Sequence, residues 1–308
     1  INDFPRDPRI CEALTLRGDM YAKTKKEAEA LMDFDRVIAR WPKAESAAAA
    51  WQRAAQIYAG RQDMVNMAKY YEGLIQNFPK ASPAALAEAH FLLGRAAFDQ
   101  GDFKSSISHM AEAKTLDPQK YGEQVNVLSV LSYHKLQDVN KLKEALETLQ
   151  KENPSAVARV PDVIPAWLGL QAYGMKDLET ADKYMTWATQ NDQLQNVKKV
   201  IWRNLAKVRL ALKKYDRALV ASNNFLKDED QPYRRADGML DKASILLGLG
   251  KYADARKTAE EALALGVEGP LMASLKIVLG DISYAEKKFD EAAKHCLLYT
   301  SPSPRDRQ

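Results

Sequence analysis

Four histidines, two cysteines and one glycine-lysine turn are the side chains of this 308-residue sequence whose types could do chemistry. A zinc-binding helix sets two His on one face, and a general base needs a partner that orients it. His90, His109, His134 and His295 fall in different segments or at unrelated positions, so none reads as a ligand or base. His90 reads as a hydrogen-bonded core residue, His109 and His295 as outward-facing. Cys11 has no His or Asn placed to activate it as a nucleophile, and with Cys296 it makes neither a disulfide framework nor a cysteine-rich zinc site. Gly248-Leu249-Gly250-Lys251 lacks the earlier Gly and the following Ser/Thr of a phosphate loop, so Gly250 reads as a turn between helices. The acidic residues scatter over solvent faces. The expectation is a chain with no catalytic residue, no metal site, no cofactor and no small-molecule substrate.

The elements that would carry these side chains are helical. Ala87 to Pro118 contains two amphipathic patterns broken at Gln100-Gly101-Asp102. Leu93, Gly94, Ala97, Phe98, Phe103, Ile107, Met110 and Ala113 recur at three- and four-residue spacings, so each helix turns one apolar stripe toward the other. Gly94, Ser106 and Ala113 are small enough to let two backbones cross closely, and Phe98, Phe103 and Met110 fill the space around the crossing. Pro118 closes the hairpin, because it lacks an N–H and disfavours helix in the residue before it.

This hairpin resembles the tetratricopeptide repeat, a 34-residue unit marked by Leu-Gly, an aromatic residue, a small residue, a further bulky residue and a closing Pro. With Ala87 as position 1, Leu93 and Gly94 fall at 7 and 8, Phe103 at 17, Ser106 at 20, Met110 at 24, Ala113 at 27 and Pro118 at 32. Copies begin at Cys11 (with Leu14, Gly18, Ala30, Phe34 and Pro42) and at Ala48 (with Trp51, Ala55, Tyr71 and Pro79), the second having Met67 in place of the small residue. Gly122 to Pro154 is a degenerate copy whose turn, Leu136 to Asn140, lacks Gly. Four more begin near Asp162, Lys199, Ala236 and Ala273, with Ala181, Ala218, Ala255 and Ala292 all at position 20. The resemblance implies an all-α fold, an α-solenoid built as a right-handed superhelix of antiparallel helix hairpins.

The resulting organisation is a repeat tail at 1–10, four units over 11–154, a proline-containing linker at 155–165, four units over 162–295 with the last truncated, and a foreign segment at 296–308. Cys296 to Asp306 is similar to the in-frame translation of a transposase sequencing adapter, and the chain starts at Ile1 without Met, so it reads as a fragment at both ends. The truncation should leave the apolar faces of Ile282 and Phe289 uncovered.

Charge and hydropathy narrow the function classes. The 45 basic and 41 acidic residues leave a formal charge of +4, too balanced for an electrostatic grip on nucleic acid. No apolar run approaches the ~18 residues that span a bilayer. What remains, and what the resemblance implies, is a scaffold that holds a protein or peptide partner along a concave groove. Carried onto this sequence, the family's groove positions collect Phe91, Arg95, Phe98 and Tyr133, then Leu170, Tyr173, Arg203, Lys207, Leu247 and Tyr284, a mixed trough with a small basic spot at Arg203 and Lys207. The aromatic-Pro-Lys endings at Trp41-Pro42-Lys43 and Phe78-Pro79-Lys80 resemble those of bacterial cell-envelope members, including outer-membrane assembly lipoproteins and Tol–Pal-associated coordinators, which implies the periplasm. The alternative is the regulatory or targeting part of a larger enzyme whose catalytic domain lies outside this sequence.

Overall fold

The computed structural model describes residues 9–190, 195–227 and 229–300, with the backbone alone at 195–197 and 296–300. The expected repeat tail at 1–8 and the end of the adapter-like string, 301–308, lie outside the described residues. The chain divides into two compact units, the first ending at Val160 and the second starting at Pro161. The first holds α1 (Arg9–Lys23), α2 (Glu27–Arg40), α3 (Glu45–Gly60), α4 (Met64–Asn77), α5 (Pro83–Asp99), α6 (Phe103–Leu116), α7 (Pro118–Lys135) and α8 (Val139–Glu152), then a 3-10 helix (Pro154–Arg159). The second holds α9 (Val163–Gly174), α10 (Leu178–Thr189), α11 (Gln195–Ala211), α12 (Tyr215–Lys227), α13 (Pro232–Gly248), α14 (Tyr252–Leu263), α15 (Gly269–Ala285) and α16 (Phe289–Thr300). Each unit is therefore a stack of antiparallel helix hairpins, an all-α solenoid. Among the described residues no helix is long and apolar enough to cross a membrane.

One turn geometry makes every hairpin. The chain leaves each first helix through a single left-handed residue: Lys25, Gln62, Gly101 and Gln137 in the first unit, Lys176, Lys213, Gly250 and Lys287 in the second. The next residue's N–H then reaches back to the carbonyl five residues earlier, from Lys26 to Tyr21 at 2.8 Å and from Lys288 to Ser283 at 2.8 Å, which ties off the helix end. Where that next residue is Asp63, Asp102, Asp138 or Asp177, its side chain accepts the N–H three residues on and starts the second helix. Only Gly101 and Gly250 have no Cβ to strain the left-handed position. At the other six the hairpin's packing offsets a conformational cost of roughly 1 kcal/mol each.

The degenerate copy differs from its expected bounds. Its first helix, α7, begins at Pro118, which sits at the first helical position where its missing N–H costs nothing, behind Asp117, whose side chain accepts from the Lys120 N–H. The same proline thus ends one hairpin and opens the next. Val139 and Asn140 lie in α8 rather than in the turn. The stretch expected to be a loop also carries structure: the 3-10 helix is pinned to α7 by Arg159 and Glu123 at 2.7 Å, and Pro165 lies buried in the first turn of α9.

Small residues are where the helices cross. Ala30, Ser106, Ala181, Ala218 and Ala255 are wholly buried, and so is the larger Met67 at the same repeat position. A Cβ on Gly169 would stand 2.9 Å from the Met185 backbone nitrogen, so only glycine fits there. The core is a string of clusters shared by successive hairpins, Leu14, Phe34, Tyr71 and Leu74 in the first unit and Leu246, Leu275 and Ile282 in the second. Ile282 is fully buried, against the expectation that truncation bares it, because it packs in the cluster shared with Leu246, Ala255 and Ala259 of the preceding hairpin; the backbone of α16 runs to Thr300. Phe289 remains exposed.

Candidate binding surface

In each unit successive first helices touch: α1 with α3 and α5 with α7 in one, α9, α11, α13 and α15 in order in the other. Side chains on this face meet across the junctions. In the first unit Gln52 and Gln56 of α3 reach Glu88 of α5. Gln52 Nε2 donates to Oε2 at 2.8 Å and Gln56 Nε2 to both oxygens at 2.9 and 3.0 Å, while the Tyr71 hydroxyl donates to Oε1 at 3.2 Å. A carboxylate is thus held by neutral donors. Burial, then the Glu88 charge, pushes the Tyr71 phenol up.

Two hollows open on the same helices. One of about 410 Å³ is lined by Asp19 and Lys23 of α1 and by Arg53, Gln56 and Gly60 of α3, with Arg53 and Asp19 paired at 3.3 Å. Another of about 660 Å³ lies over the first turns of α3 and α5 and the loops that lead into them.

The second unit builds the equivalent junction from charges. Arg203 of α11 forms an ion pair with Asp237 of α13, and Lys207 Nζ lies 4.0 Å from Asp237 and 3.7 Å from Asp241. The expected basic spot is therefore neutralised by two carboxylates one helix away. Burial pushes the Asp241 carboxyl up even though Lys207 and Arg203 pull it down. Leu170, Tyr173 and Leu247 are half-buried against the core, whereas Tyr284 is exposed and stands edge-on to Phe289 with ring centres 5.5 Å apart.

Of the first unit's expected contact residues, Arg95 alone is fully exposed. Phe91 is buried and stacks on Tyr121 of α7 at 4.6 Å, so it belongs to the packing between hairpins rather than to an open surface. Phe98 packs edge-on against Phe103 at 5.4 Å. Tyr133 turns into a hollow of about 240 Å³ between α6, α7 and α8, shared with Lys141 and Glu144.

The histidines also depart from expectation. His109 does not face outward. Its Cβ lies 3.1 Å from where a side chain on Gly94 would begin, so the close crossing turns it into the hairpin, where its Nδ1 hydrogen-bonds the Nδ1 of His90 at 3.0 Å. Burial holds both imidazoles below their ordinary value; for His90 the neighbouring His109 adds to this, while Glu72, Asp102 and Glu112 oppose it at His109. Among the described residues no three His, Cys, Asp or Glu side chains converge as a metal-ligand set.

Sequence models of the tetratricopeptide repeat match residues 12–44, 68–121 and 240–307, together about half of the chain. The chain belongs to the tetratricopeptide repeat family. The match at 240–307 spans the adapter-like string as well as the last hairpin. No curated protein matches. Among solved structures, the chain is similar to the TPR2AB domain of yeast Sti1 in complex with pHSP90 (15% identity, 93% of this chain and 100% of that one, TM-score 0.41). It is also similar to a tetratricopeptide repeat protein from Parabacteroides merdae (11% identity, 89% and 99%, TM-score 0.41) and to Pseudomonas aeruginosa pilF (18% identity, 70% and 91%, TM-score 0.36).

In tetratricopeptide terms the sequence reading named Arg203 and Lys207 but missed Asp237 and Asp241, and it missed Glu88 as well. A legible signal existed. An acid at position 2 of one repeat follows donors at positions 5 and 9 of the repeat before, in Gln52, Gln56 and Glu88 and again in Arg203, Lys207 and Asp237. Such a fold typically serves as a non-catalytic module for protein–protein interaction, the scaffold class expected of the sequence.

Proposed function

We propose that this chain is a scaffold that holds a segment of another protein against its first-helix face. One observation supports this above the others. Both larger hollows open on positions that successive first helices share: Ala49 and Gln52 in one, Asp19, Lys23, Gln56 and Gly60 in the other. Second helices spend their apolar stripes between neighbours, whereas these positions stay open to a ligand. Exposed Arg95 and Tyr284 extend the contact surface within their own units, while Phe91 supports it from beneath.

A photo-crosslinking residue placed at Gln56, Arg95 or Tyr284 should capture a partner that the same residue at Val65 or Lys257, exposed on second helices, does not. Equal capture from both sets of positions would overturn the reading.

A further inference from the structure

The 660 Å³ hollow of the first unit has a chemistry of its own. Its floor is apolar and shallow-sided, made by Ala48 and Ala49 of α3, Ala85 of α5, and Leu74 and Phe78 at the end of α4. The space exists because alanines stand where larger side chains would fill it. Its rim carries Lys43 and Lys80, the bases of the two aromatic-Pro-Lys loops, together with Glu45. Neither lysine has a hydrogen-bond or ion-pair partner among the described residues, and both are exposed. Two cations against one anion leave the rim with an excess of one positive charge over an apolar floor.

We propose that this hollow receives one acidic side chain, flanked by apolar residues, from a partner segment lying along α3 and α5. The proposal deepens the scaffold reading and rests on it. Charge sets the class of occupant: a single carboxylate matches the excess, and a run of acids would meet Glu45. Continuity sets its path, because Ala49 and Gln52 belong both to the hollow and to the first-helix face. Gln52 donates its amide N–H to Glu88, which leaves its side-chain carbonyl oxygen as an acceptor for a backbone N–H of the segment. The apolar neighbours of the acid cover the alanine floor, which removes water from around the carboxylate and strengthens its attraction to the two ammonium groups. The Glu88 network is already satisfied by neutral donors, so it does not compete for Lys43 or Lys80.

The test uses the full chain and a displayed library of random dodecapeptides with blocked carboxy-termini, selected at low salt. Selected peptides should share one Asp or Glu between apolar residues, and replacing that acid with its amide should weaken binding at least tenfold. The double variant Lys43→Glu, Lys80→Glu should lose at least tenfold, Ala49→Trp should abolish binding by filling the floor, and Lys257→Glu should change nothing. Circular dichroism and melting of each variant guard against misfolding, since Lys43 and Lys80 lie in exposed loops. Peptides that bind equally well to the double variant would overturn the proposal while leaving the scaffold reading intact. Selection of peptides without an acid, or of none above background, overturns it outright.

Discussion

Two junctions between successive first helices use the same repeat positions and opposite chemistries. Between α3 and α5, the amides of Gln52 and Gln56 and the phenol of Tyr71 hold Glu88. Between α11 and α13, Arg203 and Lys207 face Asp237 and Asp241. The backbone geometry that brings positions 5 and 9 of one helix to position 2 of the next is indifferent to which donors it brings. The difference teaches that the solenoid fixes where side chains meet, and the residue types then decide how the junction answers to salt and pH. If the acid is removed, the buried Tyr71 phenol loses its only acceptor, while the half-buried amides of Gln52 and Gln56 must trade a fixed partner for water. Arg203 and Lys207, each about a third exposed, can turn back to water, and their pairing is screened.

Variants test this contrast, beginning with the packing that both junctions presuppose. Ala218→Leu, which overfills a wholly buried crossing of the second unit, should cost up to about 3 kcal/mol, whereas Lys257→Leu on an exposed face should change the melting midpoint little. Equal midpoints would remove the shared frame. Next, Glu88→Ala should destabilise the first unit by about 1–2 kcal/mol in urea titration, because three donors lose their acceptor. Asp237→Ala should cost under about 1 kcal/mol, since Arg203 and Lys207 are near enough to solvent to rehydrate. A larger loss at Asp237 than at Glu88 would reverse the comparison.

Acid should separate the two units by a smaller margin. His90 and His109 are held below the imidazole value of 6.5 in the folded chain, so between that value and their lowered pKa values the unfolded chain binds more protons. The stability they contribute is complete above about pH 6.5 and falls as pH drops through that window. Asp241 has the opposite sign: its raised pKa makes the folded chain the better proton binder, so over its window, above the carboxylate value of 3.8, stability rises as pH falls. Hydrogen exchange at pH 7 and pH 5 should show α5 and α6 opening more readily at the lower pH. His90→Gln should flatten that response, and an unchanged response would remove the pair as its source. Smallest of all, Gln62→Gly and Lys213→Gly should each stabilise by roughly 0.5 kcal/mol, by relieving a left-handed residue in the same turn of either unit.

Much of the fold was legible because it is local. Gly18, Gly94 and Gly169, and Ala30, Ala181, Ala218 and Ala255, mark the crossings in the sequence, since only small residues let backbones approach so closely. The helix bounds failed at Pro118 and Val139, where one residue had to serve two helices and a turn had no glycine to announce it. Six of the eight hairpin turns hold a non-glycine residue in the left-handed region, and that geometry follows from the back-bonded N–H rather than from side-chain type. The candidate surface was less legible. Phe91 stands at a position expected to be open and is covered by Tyr121, because the degenerate fourth hairpin brings an aromatic residue to the start of α7. His109 stands at a position expected to face water and meets His90, because Gly94 lets α6 approach.

The sequence by itself determined the repeating hairpin, its crossings and the family, since each depends on residues within about forty positions of one another and on a period that repetition makes visible. Only the tertiary structure decided which groups on one hairpin face which on the next: Glu88 with its amides, Asp237 and Asp241 with their cations, Lys43 and Lys80 with none among the described residues. The physical reason is that a helix fixes the direction of a side chain within its own turn, whereas the partner it meets is set by the rotation and spacing of the next helix.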